Sequence, residues 1–357
     1  MIKENWNKIT GKKMEGIDIP QGIDFYKNTV ENKLKIHINF PQNNMQDDKA
    51  AFEAWALIFY TKKNRDIILS FKPINWDGSL VMSSGEHPNY MRFLYRVWKF
   101  NEQMKWFSIE EESQNIINEF KTEFLKYKIQ KQLINNRPQK EAEVSQCEGN
   151  KGTKSEHFFE NTFVRVPQAN KILKDIVEKE EGTMLINIYN QLPNGLFKGS
   201  FQKDIKESNR IFPTGYFDMW GISEKNELCI FELKVSGTKG EDVNNKSVGI
   251  ISELFFYANY SKDIFMDKNC CHSKTETEYR GYDKLLCSSK EGIPKIKAYF
   301  LAPMYHSRIE DNMDGIERCL NNNTLQIEYR FLKYNYDKIK PLVNEFKESY
   351  GKKSEVV

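Results

Sequence analysis

The stretch that most constrains the fold is GYFDMWGISEKNELCIFELKV, residues 215–235, in which two apolar runs, 216–222 and 228–235, flank the polar segment SEKNE. Short apolar runs bounded by turn residues form strands, and a five-residue polar connection suits an antiparallel hairpin. With residues 223–227 as the loop, Ile222 faces Leu228, and the same count sets Asp218 opposite Glu232, with Cβ atoms about 4.5–5.5 Å apart. A period of two puts Glu232 and Lys234 on one face with Leu228 and Ile230, and Cys229, Phe231, Leu233 and Val235 on the other. Both faces are largely apolar, so this strand must be covered on both sides, and three charges gather at one end of it.

Two carboxylates held that close in a partly dry setting repel each other and lose hydration, which is costly unless a cation neutralises them. A hard divalent ion meets the need. Mg²⁺ binds through one or two carboxylates, keeps several waters and takes a substrate phosphate in addition. Such an ion polarises a phosphoryl oxygen and generates hydroxide near neutral pH. Lys234 points into the same space, where an ammonium orients the attacking water or offsets charge on the transition state. The alternative is a structural cross-strand polar cluster or salt bridge.

Along the rest of the chain, Leu34 to Phe40 alternates like a half-buried strand, Asp47 to Tyr60 reads as a helix, and Asp66 to Phe71 as a strand. Residues from Pro88 to Phe107 carry a helical core stripe with Pro near the first turn, and the helical pattern resumes from Ile109 to Leu133. Between Asn135 and Ser155 apolar periodicity gives way to Gly, Pro, Ser and charge, the composition of a linker. The remainder reads as a helical region (Glu156 to Glu181), a strand region (Met184 to Phe201), the hairpin and a helix at Val248 to Tyr260. A strand at Ile296 to Leu301, a helix near Ile309 to Leu320 and a strand at Leu325 to Leu332 follow. No repeat at solenoid periods is visible.

Asp218, Glu232 and Lys234, with a helix and a further strand after them, resemble the PD-(D/E)XK nuclease superfamily over about residues 156–332. In that family an Asp on the second core strand and E-x-K on the third bind Mg²⁺. Phe217 stands where a Pro usually precedes the Asp, with Pro213 further upstream. Some branches add Q-x-x-x-Y on the following helix; here Glu253 and Tyr257 have that spacing and share one helical face. Because this helix is apolar nearly all round, Glu253 is expected to be buried and to need a partner, either Lys234 or a metal-bound water, or else a neighbouring loop. Members also often draw a further Glu from the first helix; among Glu156, Glu160, Glu178, Glu180 and Glu181, Glu160 is the choice, as a metal ligand beside Asp218 and Glu232.

Pattern, composition and the resemblance together lead to the expectation of an α/β chain in two parts. Residues 1–134 would form a small α+β domain of unknown role and 135–155 a linker. Residues 156–357 would form a restriction-endonuclease-like domain with a mixed sheet flanked by helices. The resemblance also implies Mg²⁺-dependent phosphodiester hydrolysis, with Mn²⁺ able to substitute, on DNA ahead of RNA. The settings implied are restriction, repair or anti-phage defence, with a homodimer or protein partner engaged through the N-terminal domain. A catalytically inactive nuclease-like module that binds nucleic acid or a partner protein is the alternative.

The balance of 53 basic and 50 acidic side chains is too even to diagnose a nucleic-acid partner, so any basic surface must be local. Arg92, Arg96 and Lys99, beside Tyr95 and Trp98, offer one such face, and Lys239 and Lys246, in the Gly- and Lys-rich segment after the hairpin, offer another. Cys270, Cys271, His272 and Cys287 lack a C-x-x-C pair and argue poorly for zinc. With six irregularly spaced cysteines, no apolar leader and no membrane-length apolar run, a reduced, cytoplasmic, membrane-free protein is expected.

Overall fold

The computed structural model of the chain describes residues 2–3, 22–28, 33–45, 48–74, 87–135, 154–200, 206–235, 248–267, 279–323 and 325–354. In the first half, the expected alternation appears in β3 (Lys33–Ile38): Leu34, Ile36 and Ile38 are buried, whereas Lys33, Lys35 and His37 are half-buried. It pairs antiparallel with β2 (Ile23–Asn28), which pairs with β1 (Ile2–Lys3). Helix α1 (Phe52–Lys63) then carries the chain to β4 (Ile67–Phe71), parallel to β3, and α2 (Pro88–Gln103) carries it to β5 (Phe107–Ile109), parallel to β4.

Two boundaries differ from the sequence reading. Residues 48–50 form a 3₁₀ turn, so α1 starts at Phe52; it closes on Asn64, whose left-handed backbone (φ 47°) returns its N–H to Tyr60 O at 2.8 Å. Helix α2 stops at Gln103 because Met104 turns extended (φ −106°, ψ 98°), leading the chain into β5. Helix α3 (Glu111–Ile129) and β6 (Leu133–Asn135) complete this half.

The helical region from Glu156 to Glu181 is two helices, α4 (Lys154–Arg165) and α5 (Pro167–Glu181). Pro167 lacks an N–H to continue the first and forces Val166 extended, whereas its fixed φ suits the first position of the second. Asn170 Nδ2 donates to Phe163 O at 3.0 Å, satisfying one carbonyl freed at the break.

Strands β7 (Leu185–Pro193), β8 (Leu196–Lys198), β9 (Arg210–Phe212), β10 (Tyr216–Ser223) and β11 (Leu228–Leu233) come next. They are followed by α6 (Gly249–Ser261), α7 (Tyr282–Glu291) and β12 (Ile296–Ala302). A short α8 (Ser307–Glu310), α9 (Met313–Asn321), β13 (Ile327–Lys333) and α10 (Tyr336–Ser354) end the chain. The main sheet runs β7-β10-β11-β12-β13, antiparallel at its first two pairings and parallel at its last two. The first sheet, β1-β2-β3-β4-β5, has the same pattern of pairings.

The architecture is thus mixed α/β with mixed sheets. Its two halves share a core: one hydrophobic cluster joins Ile36, Phe52 and Phe93 of the first half to Trp220, Ile230 and Phe255 of the second. They also share a three-stranded sheet, in which β6 pairs with β8 and β8 with β9. A second cluster, built from Phe159, Leu173, Met219, Phe231 and Val343, covers the other side of the main sheet. Of the expected linker, Asn135 ends β6 and residues 154–155 begin α4; residues 136–153 lie outside the described residues. No helix among the described residues is long and apolar enough to cross a membrane.

Candidate functional site

The hairpin register pairs Ile222 with Leu228, Gly221 with Cys229, Trp220 with Ile230 and Met219 with Phe231. Ser223 fixes its loop: the hydroxyl accepts from Lys225 N and Glu227 N, each at 3.2 Å, and Asn226 supplies a left-handed turn residue (φ 59°). Gly221 lets β10 lie close to β7, since a Cβ there would come within 2.3 Å of Asn187 O. Just beyond the ladder, the Leu233 N–H donates to Asp218 Oδ2 at 2.7 Å. This bond ties the Asp to the end of β11 that carries Glu232 and Lys234.

Lys234 is the hub of the site. Its Nζ lies 2.6 Å from Glu232 Oε1, 3.2 Å from Glu253 Oε2 and 3.5 Å from Glu156 Oε1. These carboxylates come from three elements: β11, the apolar helix α6 that packs against β11 and β12, and α4, which packs against β7 and β10. Glu232 and Glu253 are each 2% exposed at the side chain and Lys234 14%, so a dry floor opens to solvent only at its rim.

One ammonium faces four carboxylates, counting Asp218, in low dielectric. Burial, then the charges of Glu160 and its neighbours, push the Asp218 carboxyl well above its ordinary range; burial, Asp218 and Glu253 do the same to Glu232. Burial also raises Glu156. Lys234 is the converse case: desolvation works against its charge, but Glu156, Glu232 and Glu253 prevail and hold the ammonium well above its ordinary value. Tyr257, packed edge-on against Phe217 at 5.2 Å, has its phenol raised by burial and by Glu232 and Glu253.

The site still has excess acceptor capacity. Among the described residues Glu232 Oε2 and Glu253 Oε1 are buried with no hydrogen-bond partner, an arrangement costly for carboxylate oxygens. Carboxylate oxygens of this kind are the donors a hard divalent cation takes. Among the described residues no three His, Cys, Asp or Glu side chains already converge as a ready metal cage, and Lys234 stands between the carboxylates instead. A cation that keeps most of its waters needs only one or two of these groups.

Glu160, the first-helix choice, is buried near Asp218, but its oxygens are engaged by His157 Nδ1 (3.2 Å) and by Gln191 Nε2, which donates at 2.8 Å. Glu156, one turn earlier, reaches Lys234. The i, i+4 spacing of these two residues put both on one face, so choosing either implied the other. His157 and Gln191 were not singled out by the sequence; the hydrogen bond to Glu160 raises the His157 imidazole despite its partial burial.

Arg92 and Arg96 do not form a solvent-facing basic strip. Both are buried, because α2 packs between its own sheet and the second half. Arg96 Nε donates to Glu53 Oε1 at 2.7 Å and its guanidinium also reaches Glu53 Oε2 and Ala50 O. Arg92 bonds Asn44 and Asn89, and burial lowers its guanidinium to about 10 against the raising influence of Tyr257 and Glu253. Arg92 therefore borders the site from behind. Lys239 and Lys246, with Cys270, Cys271 and His272, lie outside the described residues.

Comparison with protein-family models, curated proteins and solved structures returns no match.

Proposed function

We propose that this chain is a divalent-cation-dependent nuclease of the PD-(D/E)XK type, acting on DNA ahead of RNA, in the restriction, repair or anti-phage settings where such enzymes work. The observation that carries the reading is a lysine gripped by Glu232, Glu253 and Glu156 while Glu232 Oε2 and Glu253 Oε1, beside Asp218, stay buried without a hydrogen-bond partner among the described residues. Asp218 and Glu232 would hold Mg²⁺ or Mn²⁺. When bound, the ion supplies Lewis-acid polarisation of a phosphoryl oxygen and an acidified water.

The chain's own residues provide the rest. Leu233 N–H fixes the Asp218 carboxylate through Oδ2. Lys234 orients a water or offsets charge on the transferring phosphoryl group, and Glu253 sets the position of the ammonium. Glu156 and Glu160 tune the charge of the same cavity from α4.

A non-catalytic module that binds nucleic acid or a partner protein is the second reading, favoured by the lack of a ready three-ligand cage among the described residues. Purified protein incubated with plasmid, linear and single-stranded DNA and with RNA separates the two. Cleavage in Mg²⁺ or Mn²⁺, abolished by EDTA, by Asp218→Ala and by Lys234→Ala, is the expected result. Cutting that persists in EDTA, or in both variants, refutes the mechanism.

A further inference from the structure

The two five-stranded sheets share more than their pattern of pairings. In the first, Leu34, Ile67 and Phe107 lie in one row across β3, β4 and β5; in the second, Leu228, Ile296 and Ile327 lie in one row across β11, β12 and β13. Four residues further along, Ile38 pairs with Phe71, and Glu232 with Phe300. The crossover helices correspond as well. Helix α1 links the first parallel pair and α6 the second, and the two pack on each other.

Exchanging the halves maps one further pair of helix contacts onto each other: α9 packs on α1, as α2 packs on α6. Even the helix sequences agree at several positions, since EAWALIFYTK from Glu53 and ELFFYANYSK from Glu253 align Glu53 with Glu253, Tyr60 with Tyr260 and Lys62 with Lys262. These are the marks of an internal two-fold pair.

The row equivalence shows what the first half holds where the second has its charges. Ile38 stands at the place of Glu232, and its hairpin partner Ile23 at the place of Asp218. Phe40 takes the place of Lys234. Ile23 and Ile38 are buried in the common core. Of these groups, among the described residues, only the helix carboxylate survives, and Arg96 and Ser252 satisfy it: Ser252 Oγ donates to Glu53 Oε2 at 2.7 Å.

We infer that the chain is an intramolecular pseudo-dimer of two like halves of which only the second has a cation centre, so that each chain breaks one strand of a duplex per encounter. This rests on the nuclease reading. A two-fold pair with both centres intact presents one to each antiparallel strand; here the first half contributes packing and the buried Arg92 to the living centre, and no second scission.

The test follows supercoiled plasmid in Mn²⁺ with the full chain, alongside Mn²⁺ binding to the same chain and to Glu232→Gln. Open circles accumulate first, linear DNA appears only through later independent nicks, and Glu232→Gln loses both nicking and saturable Mn²⁺ binding. Linear product formed in step with open circles, at a rate first order in chain, overturns the single-centre inference and leaves the nuclease reading standing. Nicking retained in Glu232→Gln at about half the parent rate also overturns it, by revealing a second centre. If the parent neither binds Mn²⁺ nor cuts any substrate, the nuclease reading fails and the inference falls with it.

Discussion

Replacing Lys234 with Met tests the charge logic of the site most directly. Among the described residues Lys234 is the one cation within 4 Å of Glu232 and Glu253, both almost wholly buried. Met retains most of the side chain's volume and removes the ammonium, so two carboxylates lose their counter-charge at once. Breaking a buried pair by deleting one partner costs about 3–5 kcal/mol. Near the melting temperature 1 kcal/mol moves Tm by roughly 2 °C in a large domain, so the variant should melt about 6–10 °C below the parent in EDTA at pH 8.

Divalent ion should then stabilise the variant more than the parent, because it takes over the work of the ammonium. At about a hundred times Kd such binding returns roughly 2.7 kcal/mol. Calorimetry with and without Mn²⁺ reads both effects. Equal melting of parent and variant in EDTA, or equal gains from Mn²⁺, would show that Lys234 does not balance these carboxylates. Even stabilised by Mn²⁺, the variant should not cut.

Three further outcomes follow from the same geometry. The folded carboxyls of Asp218, Glu232 and Glu156 are raised, so their contribution is fully present below their unfolded values, about 3.9–4.3, and is lost as pH rises through the higher folded values. Cation-free protein should therefore lose stability from this site between acid and neutral pH, and the Tm gain from Mn²⁺ should be larger at pH 8 than at pH 5; a pH-independent gain contradicts the assignment. Glu232→Gln removes a buried carboxylate oxygen that has no hydrogen-bond partner among the described residues, and should hold or raise Tm in EDTA while activity falls by about 10²-fold or more. Arg96→Met strands Glu53 and should cost about 3–5 kcal/mol in a denaturant titration, yet leave the salt dependence of DNA binding unchanged; a shallower salt slope would return Arg96 to the nucleic-acid surface.

The hairpin was legible because its information is local. A period of two and a five-residue loop determine which side chains face one another, and the ladder from Ile222–Leu228 to Met219–Phe231 follows that count. Glu253 was legible for a related reason: a carboxylate in a helix apolar all round must find a partner, and it meets Lys234. The arginines of α2 misled because spacing along a helix shows a charged stripe without showing what covers it. The partner of Arg96 is Glu53, 43 residues away in sequence, and only tertiary packing joins them. The three-residue strands β5, β6 and β9 carry too few residues to show any period. Helices α7 and α10 lay in stretches to which the sequence reading assigned no element, α10 with Pro341 in its interior.

Helix α6 shows why the first half cannot be a detachable accessory to this site. Ser252 and Glu253 are consecutive, so their side chains leave the helix about 100° apart. Ser252 donates to Glu53 of α1, while Glu253 reaches Lys234 of β11. The buried Glu53–Arg96 pair is therefore an anchor that sets the rotation of α6 about its axis, and that rotation decides whether Glu253 points at the lysine. A slip of one residue would swing Glu253 out of reach and bring Leu254 or Ser252, neither of them charged, toward a cavity built for charge. The desolvated pair in the first half and the cation centre in the second are two ends of one mechanical element, so the apolar core between them stabilises the fold and aims the site together.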